Sequence, residues 1–540
     1  MTATIKTNRN VGYELDRGTY RFSLRTDSHT LANMENNEFD FNLKKTVRIT
    51  NDPKTGTRVT NRFTDYSVVS KQEDGTFDTK QISAYGGSAI DGNNLDGDHW
   101  TYLTRADFNK SFPKTSASAR GGKAISDGLK HVYGGIDESK IPEHIYGSAS
   151  THYWMYTTSN GEKASKNDLD KGNVVPNKDL LMELGADYDN AKWEDLLNQM
   201  SQKDINTLVN RGGYCTLSIE SVGKKFVLEN DGPAGLNRHN MEIDNTASRP
   251  DKAGWTMFSM PATIGTSWDT NLAYSFGKSI GAEATAVGVG GWYAPGANMQ
   301  RSPFGGRNSE YYSEDSLLSG KMAASSSKGS TSMGVNTYVK HFVVNDQEQN
   351  RAGLKTYLSE QALREIYLKP FEIAVKEGDA TGIMSSFNLL GTIWTGANYA
   401  LCTEILRNEW GFRGSVITDY YAGKSLMPLK AGLIAGNDLW LTGGQSNAEE
   451  VNFSDKIYAH FARNSAKNIL YSNARAYYLN QTRDASLDTI SVDINQVIVR
   501  EVPFPWWIIW GVLPLDVVTV AGLGVWAYFV LRTPKKKKEQ

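Results

Sequence analysis

The chain has 540 residues, with 58 basic and 60 acidic side chains. Length alone implies more than one domain, and the near-cancelling charge gives no support to a nucleic-acid partner. An aromatic content of 11%, including 13 Trp and 26 Tyr, is compatible with carbohydrate binding through stacking on sugar faces, though many other proteins are equally aromatic.

Residues 1–10 are polar and hold no apolar stretch of a signal peptide. Short alternating runs at 20–24 and 45–50 predict a small β-rich region over 1–125. Residues 126–185, rich in Gly, Ser, Asn, Lys and His, read as a loop-rich insertion or linker. Residues 180–209 read as helix, with Trp193, Leu196, Leu197 and Met200 at helical spacing. From about 213 the rhythm becomes strand, loop, helix. Strands are predicted at 225–229, 287–294, 335–342, 382–387, 414–418 and 432–441. Helices are predicted at 271–287, 317–327, 359–377, 399–410 and 455–479. This alternation predicts an α/β fold, a (β/α)8-type TIM-like barrel over 186–480, with its chemistry at the C-terminal ends of the strands.

Residues 481–503 read as a linker, 504–531 as a transmembrane helix and 532–540 as a basic cytoplasmic tail. The run is long enough for a bilayer, which takes about 20 apolar residues. Trp506, Trp507 and Trp510 crowd one end and Trp526 and Tyr528 the other, as interfacial belts do. Asp516 costs roughly 2.5–3.5 kcal/mol at mid-span, which the surrounding Ile, Leu, Val and Phe residues offset at about 0.3–0.6 kcal/mol each. Arg532 and Lys535–Lys538 place the tail in the cytoplasm by the positive-inside rule. The expectation is therefore a single-pass cell-membrane protein with its barrel on the extracellular side.

Polar groups follow one strand after another. Asp231 opens Asp-Gly-Pro, and Arg307 sits in Gly-Gly-Arg-Asn-Ser-Glu. Lys340 and His341 end the third strand, Met384 lies in the fourth, and Asp419 and Tyr420 end the fifth. Taken singly, Asp231 reads as a turn former, Asp419 as a helix cap, and Lys340 and His341 as surface residues. A barrel brings all of these strand ends to one face, and the set suits glycoside hydrolysis. A retaining glycosidase needs a carboxylate nucleophile under the anomeric carbon, and Arg, Lys and Asp can hold sugar hydroxyls. The two cysteines, Cys215 and Cys402, form neither a disulfide framework nor a metal motif. No His-Glu-x-x-His, paired Cys-x-x-Cys or EF-hand loop occurs, and residues 288–291 lack the spacing and acidic partner of a dinucleotide loop. No metal or cofactor is expected.

The motifs Asp-Gly-Pro-Ala-Gly-Leu (231–236), Ala-Pro-Gly-Ala-Asn-Met-Gln-Arg-Ser-Pro (294–303) and Gly-Gly-Arg-Asn-Ser-Glu-Tyr-Tyr-Ser-Glu-Asp (305–315) resemble those of glycoside hydrolase family 3. So do Lys-His-Phe-Val-Val-Asn-Asp-Gln-Glu-Gln-Asn-Arg (340–351) and Gly-Phe-Arg-Gly-Ser-Val-Ile-Thr-Asp-Tyr (411–420). The resemblance covers roughly residues 190–475, and residues 343–346 are similar to the β-glucosidase branch. It implies Asp419 as nucleophile, with Asp231, Arg307, Lys340 and His341 binding the non-reducing-end sugar. Met384 would line that subsite, and Tyr420 is counted among the substrate-binding residues. The implied activity is removal of terminal β-D-glucosyl or β-xylosyl residues from an oligosaccharide or glycoside.

Two departures stand out. Phe387 occupies a position where many members carry Tyr, so a hydroxyl near the nucleophile is lost. The general acid/base of the family usually comes from an α/β sandwich domain. Residues 1–185 have neither the length nor the pattern to supply one, so the chain resembles the later part of a permuted relative, with a separate or upstream sandwich domain as a partner. The acid/base residue is left unknown, with Glu310, Glu314 and Glu348 the first candidates. The alternative expectation is a sugar-binding remnant without efficient catalysis.

Overall fold

The computed structural model describes residues 12–63 apart from 28 and 61, short pieces between 66 and 165, and most of 175–237 and 256–487. Toward the C-terminus it describes only 519, 521–523 and 528. Two compact units divide the chain, residues 1–486 and 487–540.

The N-terminal stretch pairs β1 (Tyr13–Leu15) with β4 (Val47–Ile49), and β2 (Gly18–Ser23) with β3 (Glu38–Leu43), both antiparallel. Further hairpins are β5 (Tyr66–Lys71) with β6 (Phe77–Ile82), and β7 (His152–Thr157) with β8 (Lys163–Ser165). The last lies in a stretch read from sequence as loop. Its alternation is too short to stand out among the surrounding polar residues.

Residues 52–63 strap across the barrel's outer helices. Asp52 pairs with Lys376. Thr55 Oγ1 donates to Glu409 O at 2.7 Å and Thr57 Oγ1 to Asn408 O at 2.8 Å. The buried Arg364 bridges Glu360, Glu409 and the Thr60 carbonyl. A guanidinium taken out of water needs this full set of acceptors, so the strap and the helices complete one another.

The barrel is a seven-stranded sheet. Around it lie β9 (Cys215–Thr216), β10 (Val227–Asp231), β11 (Val289–Tyr293), β12 (Asn336–Phe342), β14 (Gly382–Ser385), β17 (Ser415–Tyr420) and β18 (Leu439–Leu441). The minor strands β13 (Lys355–Thr356), β15 (Leu389–Leu390) and β16 (Ile393–Trp394) form a small sheet after β12 and β14. From β10 to β18 every neighbour is parallel, while β9 runs antiparallel to β10. A parallel bridge between Gly212 and Leu441 joins the two edges.

The expected eightfold repeat is corrected to six parallel strands and one short antiparallel strand among the described residues. Only ten residues separate β9 from β10, and a parallel crossover needs a dozen or more.

Side chains explain the outer layer. Helix Thr270–Ala286 starts at Asp269, whose carboxylate accepts from Asn271 N–H, and helix Ser316–Thr331 starts at Asp315, which accepts from Leu318 N–H. The two pack through small residues: a Cβ on Gly277 would come within 2.0 Å of Ser326 O. A Cβ on Gly329 would likewise come within 2.1 Å of Tyr274 O, so the contact continues past 327, where the helix's Ser- and Gly-rich end masked it in the sequence.

The predicted strand at 432–441 is a helix, Leu429–Ala435, followed by β18, because a short apolar run does not distinguish a buried helix from a strand. The predicted helix at 180–209 is three helices, Leu180–Leu184, Trp193–Asn198 and Gln202–Asn210. Ser201 and Asp204 form a capping box that restarts the chain at the last of them.

Among the described residues no helix is long and apolar enough to cross a membrane. The predicted span at 504–531 lies outside the described residues except for Thr519, Ala521, Gly522, Leu523 and Tyr528, which are helical.

Candidate active site

Register places the site. Lys340, Met384 and Ile417 are partners across β12, β14 and β17. Asp419 lies two residues beyond Ile417, one residue before the end of β17, and Asp231 is the last residue of β10. The C-terminal ends of these strands therefore converge, as the sequence predicts for a barrel.

An alternating chain of charges lines the mouth. Lys340 Nζ donates to Asp231 Oδ1 at 2.6 Å and lies 3.2 Å from Glu310 Oε1. Arg307 grips Glu310 with two parallel bonds, Nε to Oε2 at 2.5 Å and Nη2 to Oε1 at 2.6 Å. Burial would lower the Lys340 ammonium, but Asp231 and Glu310 hold it above its ordinary value. Burial would raise Glu310; Lys340 and Arg307 overcome that and hold its carboxyl below the usual range. Glu310 is therefore an ionised bridge between two cations. It cannot act as the proton donor that the sequence suggested as one candidate.

Asp419 is differently placed. Its Oδ1 accepts from the N–H of Tyr420 at 2.6 Å, while its buried Oδ2 has no hydrogen-bond partner. His341 Nε2 stands 3.6 Å from that oxygen. Burial, with Arg307 and Lys340 nearby, holds His341 well below its ordinary value, so the imidazole is neutral and no ion pair forms. The distance also exceeds a hydrogen bond. Burial pushes the Asp419 carboxyl up to about 6, opposed by Arg307, the Tyr420 amide, Arg351 and Lys340.

A second layer braces these groups. Tyr311 OH lies 3.2 Å from His341 Nδ1, and Asn345 Nδ2 donates to Tyr311 OH at 3.0 Å and to Glu348 Oε1 at 2.9 Å. Glu348 also accepts from Arg351 at 2.8 Å, and the Arg351 guanidinium lies over the Phe387 ring at 4.4 Å. Below the mouth, buried Glu229 accepts from Tyr293 OH at 2.7 Å and Tyr338 OH at 2.6 Å. Gly291 makes room for it, since a Cβ there would come within 2.8 Å of Glu229 Cγ.

The structure thus brings Asp231, Arg307, Lys340, His341, Met384 and Asp419 to one end of the barrel. Met384 is buried in the layer beneath, and Tyr420 is exposed at the rim. Sequence reading missed the bridging place of Glu310 and the Arg351–Phe387 stack. The first had a signal in its i,i+3 spacing from Arg307.

Fold and site together define an α/β barrel in which a buried carboxylate, with one oxygen free of hydrogen bonds, faces a ring of fixed cations and anions. Residues 241–438 match the glycosyl hydrolase family 3 N-terminal domain. The chain is 31% identical to a β-glucosidase of Rhizobium radiobacter over 60% of its own length and 39% of that protein's. It is 38% identical to thermostable β-glucosidase B of Acetivibrio thermocellus over 43% and 31% of the respective chains. A β-glucosidase structure from Paenibacillus barengoltzii superposes with a TM-score of 0.54 at 23% identity, over 87% of this chain and 45% of that one; that likeness bears on the fold. Over residues 241–438 the chain is similar to glycoside hydrolase family 3, and the β-glucosidase relatives support that likeness. It spans well under half the length of these relatives.

Proposed function

We propose that the protein is a retaining exo-glycosidase that removes terminal β-D-glucosyl, or β-xylosyl, residues through a glycosyl-aspartate intermediate on Asp419. The observation that carries the proposal is the buried, partnerless Oδ2 of Asp419 beside the Arg307–Glu310–Lys340–Asp231 chain. Asp231, more than a third exposed at its side chain, accepts from sugar hydroxyls. Arg307 has committed Nε and Nη2 to Glu310, which leaves Nη1 for the sugar. Lys340 and His341 complete the subsite, Met384 forms its floor, and Tyr420 at the rim meets the leaving group.

In the first step Oδ2 bonds to the anomeric carbon as the bond to the leaving oxygen breaks and that oxygen takes a proton from a carboxylic acid. In the second step a water oxygen bonds to the anomeric carbon as its bond to Oδ2 breaks, and the water's proton passes to the carboxylate left by the first step. Of the three candidates, Glu310 and Glu348 are ion-paired and Glu314 is exposed, so the acid is proposed to lie outside this set. An upstream or separate sandwich domain is the proposed source.

That pairing also favours a second reading, a sugar-binding protein with weak catalysis. Turnover of nitrophenyl β-glucoside and cellobiose by the purified protein separates the two. The first reading expects both to be hydrolysed; glucose binding without either turnover supports the second.

The acid limb of kcat/KM gives a sharper expectation. Asp419 must be ionised to attack, and its value of about 6 means activity falls as pH drops through that value, tenfold per unit well below it. A limb near pH 4 would show that another group, or an unburied carboxylate, controls attack.

We further propose that residues 504–531 anchor the protein in the cell membrane with the barrel outside and the lysines inside. Carbonate washing should leave it in the membrane fraction, and external protease should digest the barrel but spare the tail. Release by carbonate would overturn the anchor.

A further inference from the structure

The two edges of the barrel meet at residues 212–216, and the chain there is shaped around one side chain. Gly212 O accepts from Thr442 N–H at 2.9 Å and from its hydroxyl at 3.0 Å. A Cβ at 212 would come within 2.4 Å of Leu439 Cδ1 and 2.9 Å of Trp440 O, so only glycine lets β18 close on this point. Two residues later Tyr214 adopts φ +53°, a region that bulky side chains rarely enter.

Its backbone is held on both sides. The N–H donates to Tyr293 OH at 3.0 Å, and the carbonyl accepts from Glu229 N–H at 2.7 Å. Tyr293 is itself fixed by donating to Glu229 Oε2, and its ring packs 5.8 Å from that of Tyr214. A conformation that the surroundings over-determine in this way is characteristic of ligand sites.

The strand order sets Tyr214 across the ring from Lys340 and His341. Its phenol lies within the electrostatic reach of Asp231, Tyr420 and Asp419. No hydrogen bond links its hydroxyl to another described residue, although its backbone is fully engaged. Burial, then Asp231, Tyr420 and Asp419, push the phenol up to about 12, so it carries its proton at neutral pH and can donate.

We propose that Tyr214 is a substrate-contacting residue, its phenol donating to a hydroxyl of the bound sugar on the edge between Asp231 and Asp419. The barrel seam thereby supplies the wall of the subsite that faces away from Lys340 and His341. The inference rests on the glycosidase reading for its ligand class.

The test compares wild type with Tyr214→Phe, which removes only the hydroxyl. Turnover is measured on nitrophenyl β-D-glucoside and its mono-deoxy analogues, and binding on a glucose-configured iminosugar. The variant should lose about tenfold in kcat/KM and in iminosugar affinity, the scale of one hydrogen bond. That loss should vanish on the one deoxy analogue lacking the partner hydroxyl, a pattern that a purely structural role does not produce. Equal values for both proteins across the series overturn the proposal, as does a uniform loss with no deoxy analogue spared. Should Tyr214→Phe fail to fold, Tyr214→Asn carries the same comparison, because Asn tolerates positive φ. Wild type that binds the iminosugar without turning over any glucoside sinks the glycosidase reading, while affinity alone then decides Tyr214. Wild type that binds no iminosugar overturns both.

Discussion

Asp419→Asn should abolish turnover and stabilise the protein. Loss of an attacking residue typically costs about 10⁴-fold or more in kcat, and Asn cannot form the glycosyl ester. The stability effect follows from the raised carboxyl. Burial moves it from 3.8 to about 6, so folding favours the neutral form. At pH 7 the carboxylate is ionised in both states, and the folded state carries the penalty. The penalty fades as pH falls through about 6 toward 3.8. Asn is neutral at every pH, so Asp419→Asn should gain on the order of 1–3 kcal/mol at pH 7 and nearly nothing near pH 4. Thermal unfolding of both proteins at the two pH values measures this. In parallel, a 2-fluoro glucoside should leave its adduct on Asp419 of the wild type. An adduct on another carboxylate, or an Asp419→Asn protein that is less stable at pH 7, would count against the assignment.

Much of this site was legible because strand ends carry the chemistry of a barrel. Each of Asp231, Lys340, His341 and Asp419 follows an apolar run whose period of two or full burial marks a strand. Their meeting place then follows from topology without any knowledge of contacts. Glu310 was visible but misjudged. Sequence shows a carboxylate near the pocket, while only geometry shows that Arg307 and Lys340 already hold both of its oxygens.

Tyr214 was invisible for a different reason. It precedes a two-residue strand, and its place at the mouth depends on a positive φ and on a bridge to residues more than 200 positions away. The number of strands was misread on similar grounds. Helical spacing at 429–435 and strand spacing at 439–441 merge into one apolar run, and the antiparallel β9 has no flanking helix to announce it. The N-terminal strap escaped as well, since polar threonines bonding to carbonyls of distant helices leave no periodic trace.

Lys340→Met should be the most damaging change that leaves the nucleophile intact. The ammonium is fully buried and holds Asp231 Oδ1 and Glu310 Oε1 at once. Removing it takes the ammonium away from Asp231 and leaves Glu310 to its two bonds with Arg307. Truncating one partner of a buried charge pair costs about 2–5 kcal/mol, roughly 30- to 5,000-fold in kcat/KM if the sugar contact goes with it. Arg should not restore activity, because a planar fork does not fit where a compact ammonium reaches two oxygens from a buried strand position.

A second signature distinguishes this from simple loss of packing. Lys340 is one of the charges that oppose the burial of Asp419, so without it the Asp419 carboxyl rises further and the acid limb of kcat/KM moves to higher pH. Combining Lys340→Met with Glu310→Gln should not recover activity, since Arg307 then loses its bidentate anchor. A variant with unchanged kcat/KM and an unmoved acid limb would show that Lys340 faces neither the sugar nor the nucleophile.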